Sequence, residues 1–135
     1  MGIDKLQPMV VIFSMPESLD RKVLIVDDKE YIKKFLSDFF SLNGHEVITA
    51  SNGKEALDIL KDGYCSLLIT DLNMPEMDGI ELVVKIRNTD ISLPIIGMSL
   101  ENKETEFLKA GADYFLSKPF SIYHLKSILY SIFGE

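Results

Sequence analysis

The chain has 135 residues, a length suited to one domain, since domains typically take about 100–200 residues, and 47% of it is hydrophobic. Its 14 Lys+Arg against 21 Asp+Glu give a net charge of -7, so no basic field exists to gather a phosphate backbone and direct nucleic-acid binding is disfavoured. A lone cysteine, Cys65, rules out an internal disulfide or a multi-cysteine zinc site, and the apolar run at 9–13 is too short for a membrane span or a secretory core, so a soluble cytoplasmic domain with no membrane contact is expected.

Residues 1–20 hold two of the five prolines and no sustained periodicity; they read as a flexible N-terminal extension ahead of a domain at 21–135. The continuous apolar run at 22–26, followed by Asp27-Asp28, predicts a strand buried on both faces. A helix follows at 31–42 with Ile32, Phe35, Leu36 and Phe39 as its inward stripe and Asn43-Gly44 as its stop; Phe40 is expected outside that stripe. The alternation repeats with a strand at 46–50, a helix at 54–61, a strand at 66–70 ending before Asp71, and a turn-rich loop at 74–79. A helix at 80–87, a strand at 94–98, a polar helix at 102–110 ended by Gly111, and a short strand at 114–117 come next. Pro119 breaks the chain, and Ser121 caps a last helix reaching about residue 133, with Ile122, Leu125, Leu129 and Ile132 inward. Five strands alternating with five helices imply an α/β, doubly wound, three-layer fold with a parallel sheet covered on both sides. Periodicity leaves the strand order open.

Open sheets of this kind bind ligands beyond the carboxyl ends of their strands. There the first strand ends in Asp27-Asp28, the third in Asp71, the fourth in Ser99 and the fifth in Lys118. Three carboxylates brought together repel one another and need a cation, and an all-oxygen donor set without His or Cys favours magnesium. Lys118 adds a fixed positive charge. A pocket with a metal, a lysine and a hydroxyl suits phosphoryl transfer to a carboxylate, giving an acyl phosphate. Each residue alone has a plainer reading as a helix cap, a turn residue or a solvated loop; the weight lies in their joint placement on separate strands.

From about Arg21 to Phe133 the chain resembles the receiver domain of two-component response regulators, the CheY-like members of the flavodoxin-like folds. The resemblance rests on Val26-Asp27-Asp28, on Thr70-Asp71-Leu72-Asn73-Met74-Pro75-Glu76-Met77-Asp78-Gly79, on Pro94-Ile95-Ile96 to Ser99, and on Gly111-Ala112-Asp113 to Lys118-Pro119-Phe120. It implies a five-stranded sheet of order 2-1-3-4-5 and a phosphoacceptor, Asp71, served by a sensor histidine kinase or a histidine phosphotransfer protein. It further implies Mg2+ held by Asp28, Asp71 and the backbone carbonyl of Asn73, with Asp27 acting through water. Ser99 would bond the phosphoryl group, Lys118 would pair with it, and Phe115 would rotate inward on activation. The surface of the fourth helix, fifth strand and fifth helix would then change shape for a downstream protein, or for a second copy in a homodimer. The module would assist only its own phosphorylation and dephosphorylation and act as no enzyme on outside substrates.

Several positions depart from that pattern. Leu100 stands where receivers usually carry a small residue and would narrow access to Asp71; Phe115 replaces the more frequent tyrosine, leaving a switch that works by packing alone. Asn73 and Glu101 match the pair of a chemotaxis receiver that loses its phosphoryl group quickly, which pulls against the slowing expected of Leu100 and implies a lifetime shorter than that of transcription-factor receivers. His45 and His124 lack metal-ligand company, Cys65 reads as a small hydrophobe, and Tyr123 and Tyr130 are either an interface or ordinary surface tyrosines. Of the competing functions, an aspartate-nucleophile phosphatase needs a second aspartate two positions after the first, which Asp27-Asp28-Lys29 does not supply. A flavin site needs a phosphate loop that an acidic pair would repel. A receiver-like protein-binding domain that is never phosphorylated remains the alternative.

Overall fold

Four of the five residues of β1 (Lys22–Val26) are fully buried, as expected of a central strand with both faces covered. The structure, a computed structural model, describes residues 21–89 and 91–134, so the extension expected at 1–20 lies outside the described residues. After β1 come α1 (Glu30–Leu42), β2 (Glu46–Ala50), α2 (Gly53–Asp62), β3 (Leu67–Asp71), α3 (Gly79–Arg87), β4 (Ile95–Ser99), α4 (Glu104–Ala110), β5 (Tyr114–Ser117) and α5 (Ile122–Phe133). The strands form one parallel sheet in the order β2-β1-β3-β4-β5. The five-stranded, five-helix, doubly wound fold therefore has the strand order that the family resemblance implied.

Alternate strand residues feed two cores. Val23, Ile25, Leu67, Ile69, Ile96 and Met98 pack with Leu36 and Phe40 of α1 and with Leu125, Ile128 and Leu129 of α5. Leu24, Val26, Leu68 and Ile95 face the other side, with Ala56, Leu60, Leu82, Val83 and Ile86 of α2 and α3 and Phe107 of α4. Gly97 lies on that second side, where any Cβ would run into the Phe107 ring, so the lack of a side chain lets α4 sit close to β4.

Ile32, Leu36 and Phe39 of α1 face the core as expected, but the stripe differs from the expected one at Phe35 and Phe40. Its buried residues are Lys33, Leu36 and Phe40; Phe40 is 0% exposed, whereas Phe35 is 47% exposed. Two stripes at helical spacing overlap in this helix, and the end of α1 is claimed by the core because Phe40 packs edge-on to both Phe39 and His45. Lys33 occupies a core position with its stem and ties its ammonium to Ser51 Oγ and, at 2.9 Å, to Glu30. On α5, Ile128 joins Leu125 and Leu129 in the core, while Tyr123, Tyr130 and His124 are exposed. Cys65 is buried, and that burial pushes its thiol above the ordinary value.

The edge away from the strand ends is stapled. Asp113 Oδ2 accepts from the Ile95 backbone N–H at 2.9 Å and from Arg87 at 3.1 Å, while Arg87 Nε donates to the Gly111 carbonyl at 2.9 Å. These bonds tie α3, the start of β4 and the start of β5 together.

Candidate functional site

Strand register sets the site. Val26 pairs with Thr70 and Asp71 with Met98, so Asp27 and Asp71 leave neighbouring strands at the same height, with Ser99 one step beyond Asp71's partner. Ser99 pairs with Ser117, and the Lys118 backbone N–H donates to the Ser99 carbonyl at 2.8 Å, which brings the lysine onto the same rim. Oxygens of Asp27, Asp28 and Asp71 lie within 4.8 Å of one another. The sequence-derived cluster is thus assembled at one edge of the sheet.

The members differ in environment. Asp27, Asp71 and Ser99 are buried, while Asp28 is exposed with Lys29 Nζ at 3.5 Å. Lys118 Nζ donates to Asp71 Oδ1 at 2.8 Å and to Asp27 Oδ2 at 3.3 Å. Asp27 Oδ1 accepts the Lys29 backbone N–H at 2.9 Å, so it closes the turn into α1. Lys29, rather than either aspartate, stands at the helix N-cap, and its side chain makes no cap bond. Burial pushes the Asp27 carboxyl above the usual carboxylate range; the Lys29 donor opposes this, the Asp71 charge adds to it, and Lys118 opposes it. Burial also works against the Lys118 ammonium, yet its hydrogen bond to Asp71 and the charges of Asp71 and Asp27 hold it above the ordinary lysine value.

Ser99 Oγ accepts the Glu101 backbone N–H at 2.9 Å, and Thr70 Oγ1 donates to the Asp71 carbonyl at 2.9 Å. Phe115 is half-buried on β5 with its ring 5.8 Å from that of Phe107. One contributor was in the sequence motif but its role was not read from it. A Cβ on Gly79 would collide with the Asp71 carbonyl oxygen, and the Gly79 N–H donates to the Leu72 carbonyl at 2.8 Å. Asp78 caps α3 through a reciprocal capping box with Glu81, which fixes the return of this loop under the acceptor strand.

Asp71, Asn73 and Lys118 open into a cleft of about 330 Å³ whose other walls include Ile32, Phe35, Leu100 and Phe120. Leu100 lies at this cleft and is 75% exposed. Sequence reading missed Phe35 and Phe120 as site walls because it assigned the first to the core and left the second without a role. The donor set of the cluster is three carboxylates, which fits a hard divalent cation: the buried Lys118 ammonium and the exposed Lys29 ammonium beside Asp28 leave the three acids in excess.

A doubly wound parallel sheet with an acidic rim and a lysine at the end of its last strand defines a class of phosphoacceptor modules. The family model for the response regulator receiver domain matches residues 23–130, and the chain belongs to that family. It is 34% identical over 113 residues to the sensor histidine kinase RcsC of Escherichia coli K12, a match that takes in 82% of this chain and 12% of the kinase. The chain therefore spans about 12% of the length of such sensor kinases and 44% of that of the regulatory protein PhoP of Bacillus subtilis, to which it is 35% identical. Among solved structures, the receiver domain of Francisella response regulator 1452 is similar with a TM-score of 0.79 and 34% identity, over 84% of this chain and 97% of that one. TrrA from Thermotoga maritima, solved in complex with Mg(2+)-BeF, is similar with a TM-score of 0.77 and 29% identity, over 83% of this chain and 98% of that one. The chain is a receiver-type signalling module of two-component systems, and its Asp27, Asp28 and Asp71 pocket fits a phosphoacceptor site. No helix among the described residues is long and apolar enough to cross a membrane.

Proposed function

We propose that Asp71 accepts a phosphoryl group from a sensor histidine kinase or histidine phosphotransfer protein, and that the acyl phosphate resets the surface of α4, β5 and α5. The observation that carries this reading is the 2.8 Å hydrogen bond from Lys118 to Asp71, a buried acid within a three-carboxylate cluster. A carboxylate oxygen of Asp71 attacks phosphorus, the bond to the donor's leaving group breaks, and the electron pair departs with that group. Lys118 neutralises charge on the arriving phosphoryl oxygens, and Ser99 exchanges its bond from Glu101 for one to the phosphoryl group. Asp28, Asp71 and the backbone carbonyl of Asn73 would hold Mg2+, with Asp27 acting through water. When bound, the ion supplies charge neutralisation at the transferring group.

Movement of Ser99 leaves room on the α4 side of the sheet, where Phe115 packs beside Phe107, and the aromatic shift carries the signal to the surface. A downstream protein, or a second copy of the chain, reads that surface. The functional unit is residues 21–135, supported by the family match at 23–130. The module acts in the cytoplasm, where kinase phosphodonors are made, and turns over no outside substrate. Its test is intact mass after exposure to acetyl phosphate with Mg2+. One added phosphoryl group is expected, lost with chelator and lost in Asp71→Asn. No added mass in the unaltered chain, with a folded spectrum, would instead support the receiver-like binding domain that is never phosphorylated.

A further inference from the structure

The cleft above the acceptor joins two kinds of surface. Asp71 and Lys118 give it a charged floor, with side chains only 5% and 11% exposed. Ile32, Phe35, Leu100 and Phe120 give it apolar walls. Two of these, Leu100 and Phe35, are large hydrophobic groups left open to water, so an apolar body placed against them removes unfavourable surface. The Phe35 and Phe120 rings are already in contact, with centroids 6.1 Å apart, and this part of the wall is therefore preformed.

In an in-line displacement the leaving group departs from the side of phosphorus opposite the attacking oxygen. With Asp71 at the floor, that side faces the cleft mouth. We propose that the Phe35, Leu100 and Phe120 wall sets phosphodonor preference, favouring donors whose leaving group is a flat apolar body, such as an aryl carboxylate, over donors with a small polar one. The inference rests on Asp71 being the acceptor. In the step concerned, a carboxylate oxygen of Asp71 bonds to phosphorus while the P–O bond of the acyl phosphate breaks. The electron pair leaves with the aryl carboxylate, and no proton changes hands. The wall touches only the departing group, so its effect differs between donors.

Benzoyl phosphate and acetyl phosphate test this, since they carry the same charge, break the same kind of bond and release acids of similar strength. The rate of phosphoryl addition, followed by intact mass with Mg2+, gives a benzoyl-to-acetyl ratio for each variant, and comparing variants cancels the donors' intrinsic reactivities. The ratio is expected to fall about fivefold in Leu100→Ala and in Phe35→Ala, and to be kept in Leu100→Met. Both positions are exposed enough that alanine should leave the fold standing, which circular dichroism of each variant checks. An unchanged or increased ratio in the alanine variants overturns the inference, because a leucine acting only as a steric gate would, once trimmed, favour the bulkier donor. No added mass from either donor on the unaltered chain overturns the acceptor assignment itself and this inference with it.

Discussion

Lys118 Nζ and Asp71 Oδ1 are 2.8 Å apart although 47 positions separate the two residues in sequence. The lysine is brought there by the last strand and the acid by the central one, and neither approaches the other without the full sheet. Lys118→Met keeps the stem and removes the charge. Phosphorylation of Asp71 by acetyl phosphate should then fall about 100-fold, the scale of losing one preorganised electrostatic contact. Mg2+ affinity should hold or tighten, since a competing cation has gone. An undiminished phosphorylation rate, measured by mass, would contradict the assignment of Lys118.

The raised Asp27 carboxyl carries a stability prediction for metal-free protein. Its folded-state value lies above the ordinary one, so its contribution is present below the ordinary carboxylate range and is lost as pH rises through the folded value. Above the ordinary carboxylate range the buried Asp27 carboxyl is therefore a net cost. Asp27→Asn in chelator should raise Tm by about 4 °C at pH 7, and the gain should vanish toward acid pH. Added Mg2+ should narrow or reverse the difference, because the variant loses a negative charge that would act on the ion through water. Thermal melts across pH, with and without the ion, decide the matter.

Lys118 has its raised value in the same direction but on the alkaline side. Its stabilising contribution is in place below the ordinary lysine range and disappears only as pH climbs through the higher folded-state value. The wild-type chain should thus lose more stability than Lys118→Met between pH 9 and 12, about the span over which lysines titrate. Urea midpoints at stepped pH report the difference.

Gly79 is a backbone requirement of the acceptor loop. A methyl group at this position meets the Asp71 carbonyl oxygen, so Gly79→Ala forces either α3 or the end of β3 to shift. The expected cost is about 1–3 kcal/mol, together with a slower phosphoryl transfer because Asp71 moves from under Lys118. A urea midpoint and a phosphorylation rate both equal to the unaltered chain would contradict it.

By its resemblance to a chemotaxis receiver, the pair Asn73 and Glu101 implies a phosphoryl lifetime shorter than that of transcription-factor receivers. Asn73 lines the acceptor cleft, and the Glu101 N–H is the donor to Ser99 Oγ. After donor removal the added mass should decay faster than it does on transcription-factor receivers treated alike. Persistence over many hours would oppose this reading.

The sequence made the rim of the sheet readable because each strand that contributes to it ends in a residue of distinct chemistry, and parallel order turns those ends into one place. Helix faces were less readable. On α1, Ile32, Phe35, Leu36 and Phe39 fit helical spacing, and so do Lys33, Leu36 and Phe40; hydrophobicity alone favours the first set. The fold keeps Ile32, Leu36 and Phe39 against the core, adds Phe40 and leaves Phe35 out, while Lys33 buries its stem and bonds Ser51 and Glu30, a solution that a hydrophobic pattern does not register. Gly79 was visible as a letter of the motif, but a role played by a missing side chain against a distant carbonyl needs coordinates. The cleft wall was hidden for the same reason: Phe35 and Phe120 meet only after α1 and the loop beyond β5 are placed.

The level pairing of Val26 with Thr70 and of Asp71 with Met98 has one last consequence. Sliding β3 by one residue would turn Asp71 to the opposite side of the sheet and, in the same stroke, swap Leu68 with Ile69 between the two cores. Because both faces of β3 are buried, such a slip would exchange one covered apolar residue for another, so the hydrophobic cores would stay filled while the acid lost its place on the rim.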